Sequence, residues 1–353
     1  MATKPRLNSS SKRERSYWDP VYNPGKITSN FIEFDWNTQN FPSISKAVCH
    51  SDQLKTKVGQ YAWHTIINTI FETCDFEGTF DFINLTFRNC TFKNCDFKTA
   101  IWNDVKFSQC TFDVASISTS KFIDCQFNQC AWKKIGISSN EMRFTKTIIT
   151  NPHSFIRAAS TNMDKDLLSQ FSTSPDYQRY RLEGTKSKVA RMLLTSIQDQ
   201  GDDDAYFEAV KAHTTQALKA KISNQEFQRK QSKSVSRKLL HGGIEIALQL
   251  ERAVTQISGS INGWGGKLGR AIVAGIILMS IFGIIYSITG TFQGIPQSIL
   301  AAIEITLLVG YTKYASLTSS LPMQSLIAVN MLLGLWWYTI FVPTIINQVN
   351  RIK

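Results

Sequence analysis

The chain has 353 residues and carries 39 lysines and arginines against 27 aspartates and glutamates, a formal charge of +12. Its apolar residues are concentrated at the C-terminal end, so an average hydropathy typical of soluble proteins hides two long uncharged runs. Scattered histidines at 50, 64, 153, 213 and 241, the lack of a glycine-rich phosphate loop and the lack of a serine nucleophile elbow exclude the common enzyme chemistries.

Residues 1 to 60 hold Trp18, Tyr22, Pro24, Phe34 and Trp36 with little periodicity. They are expected to form a partly ordered arm whose aromatics cap the element that follows. The start is basic and polar through Arg15 with no apolar run behind it, so it does not read as a secretory signal, and the bulk of the chain is expected to be cytosolic.

From Phe82 a large apolar residue recurs every five positions, through Phe87, Phe92, Phe97 and Trp102 to Ile137, twelve consecutive times. A second track two positions earlier runs through Leu85, Cys90, Cys95, Ala100, Val105 and Cys110 to Cys130. Phe71 and Phe76 obey the same rule one residue out of frame, which places a single-residue slip near Asp81. All seven cysteines lie between Cys49 and Cys130. Cytosolic thiols seldom pair, and no histidine joins these, so they read as buried core and not as a metal or redox site. Asp75, Glu77 and Asp81 read as part of a solvated outer face.

The five-residue period resembles the pentapeptide-repeat family. The resemblance implies a right-handed quadrilateral β-helix, with one repeat per side and twenty residues per coil. Cys90, Cys110 and Cys130 would then form one interior ladder, and Phe92, Phe112 and Trp132 another. Residues 61 to 150 would give about four coils, a rod about 20 Å long at the ~4.8 Å strand spacing. Some family members mimic DNA with an acidic prism. Here residues 61 to 150 carry nine basic and nine acidic side chains, so that role ranks low and no nucleic-acid partner is expected.

Asn151-Pro152 ends the repeat, and helical patterns begin. Residues 187 to 200 and 202 to 221 read as two helices joined at Gly201. Asp202, Asp203 and Asp204 fall where negative charge stabilises a helix N-terminus, and they lack the ligand spacing of a calcium loop. Residues 221 to 238 contain six basic side chains against Glu226 alone, ahead of an amphipathic run from 239 to 261. That run either lies along an anionic leaflet, coupling the membrane end to the repeat, or presents a solvated face. The order of repeat, helical pair and Gly263-Trp-Gly-Gly266 resembles the connector of bacterial proteins that join pentapeptide repeats to channel-like hairpins.

Residues 271 to 290 and 325 to 346 are free of charge, and each is long enough to span a hydrocarbon core of about 30 Å. The segment between them starts at Gly294-Ile-Pro296, and its twelve residues to Leu307 reach only about 18 Å. It must turn back. Irregular backbone at membrane depth needs protein or a water-filled cavity around it, which implies several copies around an axis. A plain hairpin anchor is the alternative. Against it stands Glu304, the only acidic residue after Glu251.

Residues 304 to 312 resemble the pore helix and selectivity filter of two-transmembrane potassium channels, across roughly residues 264 to 350. Val309, Gly310 and Tyr311 match the filter. Leu308 stands for its threonine, Thr312 for its second glycine, and Lys313 for an aspartate. The resemblance implies pore or filter positions at Thr306, Leu307, Leu308, Val309, Gly310, Tyr311 and Thr312, with Glu304 behind the filter, Lys313 at the outer mouth and Gly334 as a gating hinge. The three departures imply weak selectivity.

The sequence therefore predicts a multidomain β + α membrane protein: an arm over 1–60, a β-helix over 61–150, a helical connector over 151–262, and a two-helix transmembrane hairpin with a re-entrant pore loop over 263–353. Lys267, Arg270, Arg351 and Lys353 flank the spans and place both termini in the cytoplasm of a bacterial inner membrane. The expected function is a tetrameric cation channel without enzyme activity, metal or cofactor. Its partners are the lipid bilayer, its own copies (a homo-oligomer), monovalent cations and a cytoplasmic protein on the repeat. The alternatives are a non-conducting membrane-anchored scaffold and a pore-forming stress or defence effector.

Overall fold

The computed structural model describes residues 7–9, 19–21, 31–36, 42–54, 64–161, 174–198, 200–309, 311–314 and 320–351. Short strands centred on the repeated aromatics pair in parallel with the coil before and the coil after. Phe107 lies in register with Phe87 on one side and Phe127 on the other, and Phe112 lies between Phe92 and Trp132. The result is a β-solenoid of about four turns, and among the described residues the strands collect into sheets of nine, four and five, the first including an antiparallel strand at Leu7–Ser9. Chain direction changes where the backbone turns left-handed, two residues past a centre, at Asn84, Asn89, Asp104 and Asp124 among others. Asparagine and aspartate tolerate that region better than most side chains.

The ladder confirms the slip. Trp102 pairs with Phe82, twenty residues back, whereas Phe92 pairs with Phe71 and Asp96 with Asp75, twenty-one back. The extra residue thus lies between Asp75 and Phe82. The ladder also reaches further back than the repeat does in sequence: Ser43–Ser45 pairs with Ile70–Glu72, and Ala47–His50 with Asp75–Glu77, all in parallel.

Inside, rings stack along the axis: Phe87 on Phe107 at 5.1 Å, Phe107 on Phe127 at 4.7 Å and Phe112 on Trp132 at 4.4 Å. Burying each phenylalanine removes apolar surface from water, at about 1.5–3 kcal/mol per ring. The thiols fill the corners between rings and donate to carbonyls of the preceding coil, Cys110 to Phe87 and Cys130 to Phe107, both at 3.4 Å. Asp75 departs from expectation. It is buried and not on the solvated face, with Lys98 Nζ at 3.2 Å, while the same ammonium reaches Glu77 at 2.7 Å.

Both ends of the solenoid are covered. Trp36 is buried over the first coil, donating Nε1–H to the His50 carbonyl at 2.8 Å with its ring against Phe82. Trp18, Tyr22 and Pro24 lie outside the described residues. At the other end α1 (Pro152–Ala158), capped by Asn151, sets Phe155 edge-on to Trp132 at 4.9 Å.

The connector is a pair of helices, α2 (Pro175–Ile197) and α3 (Asp203–Gln231), both longer than the periodicity suggested. α2 starts early because the Ser174 hydroxyl accepts from Tyr177 N–H at 3.2 Å and Pro175 suits a first turn. Asp202 caps α3, accepting from Ala205 N–H at 3.0 Å. Then comes α4 (Val235–Asn262).

The chain divides into two compact units, Met1–Arg252 and Ala253–Lys353. In the second, a turn at Gly263–Gly265 leads to α5 (Leu268–Ile288), α6 (Ile295–Thr306), one helical turn at Tyr311–Tyr314, and α7 (Leu321–Arg351). α5 and α7 are long and apolar enough to cross a membrane, with mean hydropathies of 2.5 and 1.7 over an 18-residue window of each.

Candidate functional site

α6 begins where expected. Gly294 takes a φ of 88°, Pro296 occupies the first turn, and twelve residues follow before the helix ends. Ala301, Ala302 and Ile305 are fully buried and pack with Phe282 and Tyr286 of α5 and Ile327 of α7. Small residues on α6 let three backbones come close, as helices do in an apolar medium.

A chain of polar groups crosses this packing. The Thr306 hydroxyl donates to Asn330 Oδ1 at 2.9 Å, and Asn330 Nδ2 donates to the Tyr286 hydroxyl at 3.0 Å. All three side chains are fully buried. The sequence points to Thr306 but not to Asn330 or Tyr286. The signal for Asn330 was available: it is the only Asn, Gln, Asp or Glu between 325 and 346.

Gly334 sits on α7 against Thr306. A Cβ there would overlap the Thr306 carbonyl oxygen and lie 2.9 Å from its Cα. Its geometry is that of a close backbone contact. Gly275 of α5 does the same for Trp337, whose ring would lie 2.5 Å from an added Cβ and whose Nε1–H donates to the Ala271 carbonyl at 2.7 Å. The proline that interrupts the hydrogen-bond ladder of α7 is Pro343.

The filter positions adopt a helix cap. Leu308 N–H donates to Ile305 O at 3.1 Å and Val309 N–H to Glu304 O at 2.9 Å, with Leu308 at φ 61°. That is the bonding of a Schellman cap, with leucine in the left-handed position usually held by glycine. Val309 is 79% exposed. Gly310 lies outside the described residues, as do the side chains of Tyr311 and Thr312. Tyr311–Tyr314 form a helical turn. The backbone on both sides of Gly310 is therefore coiled, where the resemblance to a filter implies an extended strand. Leu307 is the C-cap, bonded through its N–H to Ile303 O at 2.9 Å.

Glu304 and Lys313, read separately in the sequence as an acid behind the filter and a cation at the mouth, meet each other. Lys313 Nζ lies 3.4 Å from Glu304 Oε2, and the Tyr314 hydroxyl donates to the same oxygen at 2.6 Å. The loop closes on this pair. Lys313 consequently presents a partly neutralised charge.

At the other end of the hairpin Asn262 Nδ2 donates to Thr344 Oγ1 at 3.1 Å, and Gln348 Nε2 donates to the Gly266 carbonyl at 2.9 Å. Between α5 and α6 runs an open apolar groove of about 540 Å³, lined by Ile276, Gly283, Ile284, Ile295, Ile299 and Ile303 among others.

The cysteines of the solenoid are built as core. All seven are buried, and burial pushes the Cys125 thiol up to about 12.

No family model matches the chain, and no curated protein is similar to it in sequence. Among solved structures, two trypsin-treated variants of QnrB1, a plasmid-mediated fluoroquinolone resistance protein, are similar over part of it. They share 11% and 12% identity, cover 37% of this chain and 83% and 79% of their own, and have TM-scores of 0.18 and 0.17. The β-solenoid itself rests on the parallel ladder.

Proposed function

We propose that the C-terminal unit is one subunit of a homo-oligomeric, poorly selective cation pore in a bacterial inner membrane, and that the β-solenoid regulates it from the cytoplasm. The observation that carries this reading is a helix of twelve residues ending between two helices of spanning length, with Thr306, Asn330 and Tyr286 buried around its end. At ~1.5 Å per residue α6 stops about 18 Å from its start, inside the apolar layer. Backbone polar groups beyond it, and an exposed Val309 beside them, then need other copies or water around them.

Four copies would surround the axis with α6 ends. The left-handed leucine cap and the coiled turn after Gly310 do not give the extended row of carbonyls that a selective filter needs, so potassium exceeds sodium by less than about tenfold, ~1.4 kcal/mol. The repeat is read as a right-handed, four-sided prism, on the five-residue period and the left-handed corners. Its charged outer face is available to a cytoplasmic protein. Both termini stay in the cytoplasm.

A membrane-anchored scaffold is the second reading. The same Schellman cap favours it, because a cap that satisfies its own carbonyls suits a hairpin that conducts nothing. Particle mass in detergent separates the readings at the first step. A mass of four chains is expected, and a monodisperse single chain overturns the pore.

A further inference from the structure

α4 is turned the opposite way from an amphipathic helix in a soluble protein. Val235, Leu239, Leu240, Ile246 and Leu250 are 73%, 73%, 62%, 65% and 64% exposed. At ~100° per residue they fall within an arc of roughly 140° on one side of the helix. The other side is the one tied to protein: His241 Nδ1 shares a hydrogen bond with Gln225 Oε1 of α3 at 2.8 Å, and Glu245 meets Arg229 of α3 at 3.1 Å. A helix whose polar face holds it to its own protein offers its apolar face to something else.

We propose that residues 235–250 lie on an anionic lipid surface, with the apolar arc sunk into the boundary between headgroups and acyl chains. Three observations choose lipid over a second copy. The arc is broader than the two-position seam of a coiled coil, as interfacial helices require. Arg237 and Lys238 are exposed and stand about 60° beyond its two edges, where long cationic side chains reach phosphate while their stems lie along the apolar face. Lys233, exposed, precedes the helix in the same basic stretch, while Lys230 is held by Asp176 and Glu226, and Glu245 is held by Arg229. Moreover α4 runs unbroken to Asn262, and α5 begins at Leu268. This rests on the reading that α5 and α7 cross a bilayer, and connectivity then brings the end of α4 to the membrane boundary.

The native cysteines are all buried, so an environment-sensitive thiol probe on the folded full chain reports only an introduced cysteine. Leu239→Cys, Leu250→Cys, Gln256→Cys and, on α5, Ile276→Cys are labelled and reconstituted into phosphatidylcholine vesicles with and without phosphatidylglycerol. The readout is quenching by spin-labelled lipids. Probes at 239 and 250 are expected at a depth of about 5–10 Å, quenched about threefold more than the probe at 256, and more strongly with phosphatidylglycerol present. The probe at 276 is quenched deeper and equally in both vesicles. If 276 is quenched while 250 behaves like 256, the lipid-surface proposal is overturned and the membrane reading stands. Self-quenching between probes at 250 that survives dilution in lipid assigns the face to a second copy, which also overturns it. If 276 itself escapes lipid quenching, the membrane reading falls and takes this proposal with it.

Discussion

The Thr306 hydroxyl, at the last residue of α6, donates to Asn330 Oδ1 on α7 at 2.9 Å, and no water reaches either side chain. Asn330 passes the chain on to Tyr286 of α5. Thr306→Val and Asn330→Leu should each destabilise the hairpin, because each leaves a buried polar partner unsatisfied. Hydrogen bonds between helices in an apolar medium couple by about 0.6 kcal/mol on average and up to ~1.7 kcal/mol. A double-mutant cycle on unfolding in mild detergent should give a coupling within that range. Strict additivity would mean that the contact contributes nothing.

Leu308 holds a left-handed conformation that glycine reaches at less cost. Leu308→Gly should therefore raise the stability of the hairpin by about 1 kcal/mol, and Leu308→Thr, β-branched, should lower it. Thermal unfolding of the detergent-solubilised protein measures both. If the threonine variant is the more stable, the segment is extended in the assembled protein and Leu308 stands in the threonine position of a filter.

Phe107 is fully buried between Phe87 and Phe127, and Lys106 beside it is only partly covered. Phe107→Ala opens a cavity in a solenoid of few coils and should cost about 3–5 kcal/mol. Lys106→Ala should cost less than about 0.5 kcal/mol. The β-signal in circular dichroism, followed through melting, reads the difference. Equal melting of the two variants would contradict the assigned frame.

Cys125 has its thiol raised to about 12 by burial, against about 8.5 for a free thiol. The unfolded chain therefore loses this proton first, and the unfolded state binds fewer protons than the folded one between those values. Stability from this group is fully present below about pH 8.5 and falls as pH rises, by at most ~1.4 kcal/mol per pH unit. Cys125→Ala should flatten the decline in melting temperature between about pH 8.5 and 10. Iodoacetamide should likewise leave the native thiols unmodified and react after unfolding.

Local rules made the solenoid legible. A five-residue period needs no long-range information, and the one-residue slip between Asp75 and Phe82 was visible as a break in frame. α6 announced itself in the same way, through Gly294 and Pro296. What sequence reasoning missed depends on residues far apart in the chain. Asp75 looks solvated until the coil above brings Lys98 over it. Glu304 and Lys313 look like separate charges until a cap at Leu308 and a helical turn bring them within 3.4 Å. Gly334 fits a hinge or a packing contact by spacing, and only the position of Thr306 shows which backbone its missing side chain makes room for. The early start of α2 is written locally in Ser174-Pro175, but it stands apart from the apolar periodicity that predicts the helix boundaries.

The central claim is that several copies of the hairpin surround an ion path. Its most direct test is the current across a planar bilayer containing the purified full chain, with potassium on one side and sodium on the other. The account predicts a cation current whose reversal potential corresponds to a potassium preference of less than about tenfold. Silence from protein that has demonstrably entered the bilayer as an oligomer would contradict it and leave the solenoid on a membrane anchor.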